Sequence, residues 1–481
     1  MNRSVRLILI VAPLTVLAAV VPLATANVAT AGARTPDASA GFSMSSYPPL
    51  APSFSPTVSD YALRCPGWGT APYSYLETTG TGRVEIGGKL YTNPTTVALP
   101  LVPGQEVKVV QGGSQYYLRC LPGNFPAYTT TVTGTTQADG YFVTVDHYAA
   151  AFDTDGVPIW WDYDGDTNSP IDAKFLSPST VSWSDSSYRE EIHALDGKLI
   201  HTVGGQSVPL DPHDLQLLPN GNYLGILDLP TNCPSIPSQC VDLSSWGLSS
   251  QAQIDNEWIV ELDKSNHIVW EWSVMDHVDI ATANVNWRDQ YPDVIHMNSI
   301  MYDGNGGIIW SARHLDAVYR IDMASGDITW KLGGSSTPQS LTVSGDPYLD
   351  AGGQLFSGQH DARFAPDGSL TVHDNGSRAN RAPRAVRFDV QAAAKTATEV
   401  EQVTDSRAPA APFTGSVEKL LGGDWVASWG DNDFVTELTP AGAPVLTISY
   451  PGYFSYRDAD VLASRDALRR GMNAMVAPLR L

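Results

Sequence analysis

The chain has 481 residues, and its 51 acidic against 29 basic side chains give a formal net charge of -22. That excess disfavours nucleic acid or an anionic membrane as a partner and favours a freely dissolved protein. After removal of a leader, the length is enough for one large domain or two domains.

The first residues read as an export signal. Arg3 and Arg6 precede the apolar run L-I-L-I-V-A-P-L-T-V-L-A-A-V-V-P-L-A, and A-T-A and A-G-A offer small-residue cleavage sites. Residues 1–33 are therefore expected to be a cleaved signal peptide of a secreted or extracytoplasmic protein. No cysteine follows to carry a lipid, and no later segment is apolar enough to cross a bilayer, so no stable membrane insertion is expected. The Ser, Pro and Ala-rich stretch 34–55 reads as a linker.

From 56 to 125 come short alternating runs, R-V-E-I-G-G-K-L-Y, E-V-K-V-V and Q-Y-Y-L-R-C, punctuated by Gly and Pro. They predict a small N-terminal β-sandwich. The four cysteines fall in two neighbourhoods, and an even count in an exported protein reads as disulfides, paired Cys65–Cys120 and Cys233–Cys240.

From 126 to 481 one unit recurs. A turn glycine leads into a strand, as in D-G-Y-F-V-T-V at Gly140, N-G-N-Y-L-G-I at Gly221, N-G-G-I-I-W-S-A at Gly304, D-G-S-L-T-V-H at Gly368 and G-G-D-W-V-A-S-W at Gly423. S-P-S-T-V-S-W near Ser179 is a degenerate copy. An acidic turn and a tryptophan strand follow, as in F-D-T-D-G-V-P-I-W-W and R-I-D-M-A-S-G-D-I-T-W-K-L-G-G. Six such units predict an all-β, six-bladed β-propeller, because a single blade cannot bury both of its faces. Helix signal is slight; A-A-K-T-A-T-E-V and S-R-D-A-L-R-R-G-M are the best candidates.

Within this repeat, His213, His296 and His360 each stand eight residues before a turn glycine, namely Gly221, Gly304 and Gly368. A residue just before a blade's innermost strand sits at one mouth of the central channel, so the three should converge. The other blades carry no histidine at that offset, so the repeat does not itself require one. Arg313 ends the strand I-I-W-S-A-R and should return toward the same axis. Asn298 alternates with His296 and should share its face. By the same alternation His314 should point away from Arg313, and Asp214 and Asp361 should not orient the histidines that precede them. Three imidazoles, a guanidinium and an amide make an anion site. A neutral imidazole can act as a nucleophile and its neighbour can move protons. No GxxxxGK[ST] phosphate loop or kinase-like set appears, which points to metal-free transfer of a sulfuryl or phosphoryl group.

The ordered pieces H-D-L-Q-L-L-P-N-G-N, H-M-N-S-I with S-A-R-H, and Q-H-D-A-R-F-A-P-D-G resemble the bacterial arylsulfate sulfotransferases, roughly over residues 127 to 450. The resemblance implies a propeller enzyme that moves a sulfuryl group from an aryl sulfate donor to a phenolic acceptor by a ping-pong route, with no cofactor and no nucleotide donor. It implies that His360 is the nucleophile, becoming a sulfohistidine. It further implies that His213 and His296 act on the leaving phenolate or the sulfuryl oxygens, and that Arg313 and Asn298 hold those oxygens. Trp287, Tyr291 and Trp429 lie near the expected mouth, more as packing than as a clamp for the phenol ring. The N-terminal domain could mediate a homodimer.

Three other readings compete. Three convergent histidines could hold a metal in a propeller lyase or hydrolase, though Arg313 would repel the ion. The D-x-x-x-G-x-x-x-W turns are similar to those of quinone-cofactor dehydrogenases, but six repeats and no adjacent cysteine pair oppose that reading. A non-catalytic binding propeller would have no use for this cluster.

Overall fold

The computed structural model describes residues 41–479, apart from 66–72, 166–168 and 186; of residues 458–460 it describes the backbone. The expected signal peptide lies outside these residues.

Two sheets precede the repeat. One has five strands, with Asp60–Arg64 parallel to Ser114–Leu121 and then Glu106–Gln111, Arg83–Ile86 and Lys89–Thr92. The other has three, Ser43–Tyr47, Ser74–Thr79 and Thr95–Leu99. Burial alternates strictly along Ser74–Thr79, as a strand with one face on a core requires. Leu76 and Leu99 from one sheet meet Val84, Val107 and Leu118 from the other in a single cluster. Cys65 is bonded to Cys120 beside that core. The linker expected over 34–55 is corrected at its far end. Ser43–Tyr47 pairs along its length with Ser74–Thr79 and buries Met44, a pattern hidden by the surrounding Ser and Pro.

Six sheets of four or five strands follow. Their innermost strands are Asp458–Asp460, Ile171–Ser177, Leu210–Leu217, Met297–Tyr302, His360–Phe364 and Ser416–Lys419. Each touches the next in that order, and the last returns to the first. This closed radial array is a β-propeller, and it leaves few open sheet edges.

The ring is closed by both ends of the repeat region. Thr129–Val132 forms the outer edge of the last sheet, and Asp458–Asp460 the inner edge of the first. The unit at Gly140 therefore has no inner strand of its own before it.

The acidic turns and tryptophans have separate tasks. Asp263 Oδ1 accepts from the backbone N–H of Ser265 and His267 and shapes its turn. Trp160 Nε1 donates to Leu195 O and Trp272 Nε1 to Gly326 O, each reaching a turn of the next sheet. The tryptophan repeat thus stitches neighbouring sheets together. Of the two helix candidates, Arg465–Met475 is helical, with Ser464 as its N-cap. The other holds only the short turn Ala392–Ala394 before the strand Thr396–Val403. The helix joins the ring to the N-terminal sheets: Arg469 pairs with Asp60, and Arg119 donates to Asn473 Oδ1 at 3.0 Å. Among the described residues no helix is long and apolar enough to cross a membrane.

Candidate active site

His213, His296 and His360 each lie at or just before the start of an innermost strand's regular pairing, in three successive sheets. The turn glycines eight residues on, Gly221, Gly304 and Gly368, have φ of 83°, 75° and 83°, a left-handed conformation that a side chain would strain. The spacing is thus the length of one inner strand plus its tight turn.

The imidazoles meet around Tyr456. The ring centroid of His213 is 6.0 Å from that of Tyr456, and that of His360 is 6.3 Å. His213 and His296 stand edge to face at 5.0 Å. In all three histidines Nδ1 is the anchored nitrogen. His213 Nδ1 lies 2.6 Å from Asp211 Oδ1, and His296 Nδ1 lies 2.7 Å from Asp293 Oδ2. His360 Nδ1 lies 2.8 Å from Asn375 Oδ1 and 3.0 Å from Gly358 O. These anchors leave Nε2 as the other ring nitrogen in each case.

The anchors divide the rings electrostatically. Burial works against charging His213, but the charge and hydrogen bond of Asp211 outweigh it, and the pKa ends above the ordinary value. Burial lowers His296, and Asp293 only partly offsets that. His360 is held well below the usual histidine range by burial and then by the charge of Arg313. The site thus pairs a ring that favours its charged form with one kept neutral.

Arg313 follows the strand Gly307–Ala312 and begins a short 3-10 turn, Arg313–Leu315. Strand alternation therefore does not govern His314, contrary to the sequence expectation: Arg313 Nη1 donates to His314 Nε2 at 2.8 Å. Since arginine can only donate, His314 carries its proton on Nδ1, which donates to Asp293 O at 2.8 Å. Arg313 Nη2 donates to Pro412 O at 2.7 Å, and its guanidinium carbon lies 4.6 Å from the ring centroid of Trp287. Among the described residues the buried Nε of Arg313 has no hydrogen-bond partner.

Asn298 sits elsewhere than alternation implies. His296 has φ 57°, and the pairing slips between Met297 and Ser299, so the two-residue rhythm is broken. Asn298 is fully buried, and its amide donates to Gln359 O at 2.8 Å. Its backbone carbonyl accepts from the Tyr456 hydroxyl at 2.9 Å and from Arg457 Nη2 at 3.0 Å, while among the described residues its buried Oδ1 has no hydrogen-bond partner. It is therefore a brace between the inner strand and Tyr456. Trp287 is buried, stacked on His314 at 4.8 Å, and donates to Asp316 Oδ1. Trp429 is buried against His373. Tyr291 is 39% exposed. Phe413, next to the carbonyl that holds Arg313, meets Phe454 at 5.6 Å, and both rings are about two-fifths exposed.

A charged network fills the channel beside the histidines. Arg457 binds Asp172 and Asp361, Arg363 binds Asp214 and Asp361, and Lys174 joins Asp172 to Asp214. Asp214 and Asp361 thus face this network, and neither orients the histidine before it. Tyr456, Arg457 and Asn375 were not anticipated from the sequence. The first two enter with the closing strand, and Asn375 is brought up by the cross-strand pairing of His360 with His373. Asp211 and Asp293 had left a readable signal, an aspartate two or three residues before two of the three histidines.

Asp293, His296 and His314 place one ligand atom each within 4.8 Å of the others. Both nitrogens of His314 are, however, already engaged, one by a guanidinium and one by a carbonyl.

By fold the chain is similar to a protein of unknown function from Bacteroides caccae, at 12% identity and TM-score 0.39, over 69% of this chain and 98% of that one. It is also similar to a virginiamycin B lyase from Staphylococcus aureus solved with quinupristin, at 11% identity and TM-score 0.35, over 69% and 89%. The WD40 β-propeller domain of Doa1 is similar at 10% identity and TM-score 0.36, over 74% and 90%. No curated protein matches the sequence. A family model described as arylsulfotransferase (ASST) matches residues 180–451, a span that holds His213, His296, Asn298, Arg313, His360 and Asn375. With more than half of its length and all three channel histidines inside that match, the chain belongs to the arylsulfotransferase family.

Proposed function

We propose that the protein moves a sulfuryl group from an aryl sulfate to a phenol by a ping-pong route through sulfated His360, on a six-bladed propeller preceded by a β-sandwich. The observation that carries this is the placement of His213 and His360 against Tyr456, the first anchored by a carboxylate and the second by a neutral amide, with the charge of Arg313 acting on His360. His360 Nε2 attacks sulfur, and the S–O bond to the aryl oxygen breaks. Protonated His213 gives its Nε2 proton to the departing phenolate. The acceptor phenol then returns a proton to His213 as its oxygen attacks sulfur and the N–S bond breaks. Arg313, with an unspent Nε–H, stabilises the sulfuryl oxygens, where charge develops. His296, whose Nδ1 faces Asp293, adds a donor there only in its protonated form. Asn298 braces Tyr456 through its backbone carbonyl, and its side-chain amide holds Gln359 O beside His360. Two disulfides and a signal-like leader support a secreted protein.

The test is release of 4-nitrophenol from its sulfate ester by wild type and His360→Asn, with and without a phenol acceptor, after chelator treatment. Chelator-resistant, acceptor-dependent release that vanishes in the variant supports the proposal. The second reading is a metal-dependent lyase or hydrolase, favoured by the grouping of Asp293, His296 and His314. It predicts activity lost to chelator and restored by a divalent ion.

A further inference from the structure

We infer that Asn375 is a positioning residue that fixes the proton of His360 on Nδ1 and so delivers Nε2 to sulfur as a free lone pair. This rests on the reading of His360 as the nucleophile.

The orientation of the Asn375 amide is set by its surroundings. Its Nδ2 donates to Thr414 O at 2.8 Å and to Ala411 O at 3.1 Å. Both partners are carbonyls, so the nitrogen must face them and the oxygen must face the other way. That oxygen takes two imidazoles, His360 Nδ1 at 2.8 Å and His373 Nδ1 at 3.2 Å. Gly358 O, the second neighbour of His360 Nδ1, is likewise only an acceptor. A nitrogen facing two acceptors must carry the hydrogen. The neutral ring then has one tautomer, with the lone pair on Nε2.

The contrast with the other two rings gives the choice of residue its meaning. Where His213 and His296 have a carboxylate, Asp211 and Asp293, His360 has a neutral amide and a peptide carbonyl. A carboxylate would orient the ring but would also favour the imidazolium, which has no lone pair to give. A neutral acceptor orients without charging. His373, buried and with its pKa pushed down to about 4 by burial, donates to the same oxygen as a neutral ring and adds no charge. The first position of the sequence triplet shows the same division: D-P-H at Asp211 and G-Q-H at Gly358.

The experiment combines nitrogen NMR of histidine-labelled protein with kinetics on wild type, Asn375→Leu and Asn375→Ala. The His360 signals are identified by their loss in His360→Asn. In wild type, His360 is expected to show a protonated Nδ1 and an unprotonated Nε2 across neutral pH. In either Asn375 variant the shifts should move toward a mixture of tautomers. The rate of 4-nitrophenol release at saturating donor should fall on the order of ten- to a hundredfold, with KM for the donor changed less than twofold. A pure Nε2–H tautomer in wild type, or unchanged His360 shifts in a folded Asn375 variant, overturns the inference. If leucine prevents folding, the smaller alanine keeps the test open. The tautomer is read without substrate, so failure of the sulfotransferase reading would appear separately, as a wild-type protein that releases no phenol.

Discussion

Asp211 holds Nδ1 of His213 at 2.6 Å and is itself kept ionised, since the histidine outweighs the cost of burying the carboxylate. The pair favours the charged imidazolium, whereas burial and the charge of Arg313 hold His360 well below the usual histidine range. In Asp211→Asn the support for the imidazolium goes, and the His213 pKa falls. The protonated acid is then lost at lower pH, so the basic limb of the kcat profile should move to lower pH. The shift should be larger for poorly leaving phenols, which need the proton most. A profile with an unmoved basic limb would contradict His213 as the acid.

Arg313 is fixed by Pro412 O and His314 and by the face of Trp287. Arg313→Lys keeps a charge but loses the planar fork and its stacking. The expected loss is about 1.5–3 kcal/mol of transition-state stabilisation, roughly ten- to a hundredfold in kcat/KM. Trp287→Phe keeps a stacking face but removes the Nε1 hydrogen bond to Asp316, and a smaller loss is expected. Initial rates over a series of donor concentrations measure both.

Arg457 is buried among Asp172, Asp214 and Asp361, and removing it leaves too few cations for these carboxylates. Arg457→Met should destabilise the protein by about 3–5 kcal/mol, the range for breaking a buried ion pair from one side. The sign with pH follows from Asp214, whose carboxyl is held well below its usual range because Arg363 and Lys174 offset the cost of burial. Its contribution is fully present above the unfolded carboxylate pKa and fades as pH falls toward the folded one. Denaturant melts from pH 7 to pH 3 should show wild type losing its stability margin over Asp214→Asn in that direction, which separates Asp214 from Asp172, whose carboxyl burial pushes up.

The two disulfides close loops of unequal size, spanning 55 and 7 residues of sequence. The chain-entropy model assigns about 4 kcal/mol to the first and about 2 kcal/mol to the second. Cys120→Ser should therefore lower the melting temperature more than Cys240→Ser. Neither cysteine pair contributes to the histidine cluster, so kcat at low temperature should hold in both variants.

The channel histidines were legible because a repeat converts equal spacing into equal position. His213, His296 and His360 needed only the fold class to be brought together. What failed was anything that assumed uniform strands. Asn298 was placed by alternation, but φ of 57° at His296 and the slip after Met297 break the alternation. His314 was set apart from Arg313 by the same rule, although the strand ends at Ala312. Tyr456 and Arg457 carry no repeat signal, because the strand they lead into is borrowed by the first sheet from the far end of the chain. Asn375 lies fifteen residues from His360 and reaches it only through the pairing of two strands.

The strand that the first sheet borrows is also the last part of the ring to be synthesised. The chain emerges in order, and the three histidines are made long before Tyr456. Until residues 456–460 arrive, the first sheet lacks its inner edge, and Asp172, Asp214 and Asp361 lack Arg457. A product that stops short of them holds all three channel histidines around an unfinished channel. The closing segment therefore completes the ring in one step, and a chain that lacks it has no finished channel.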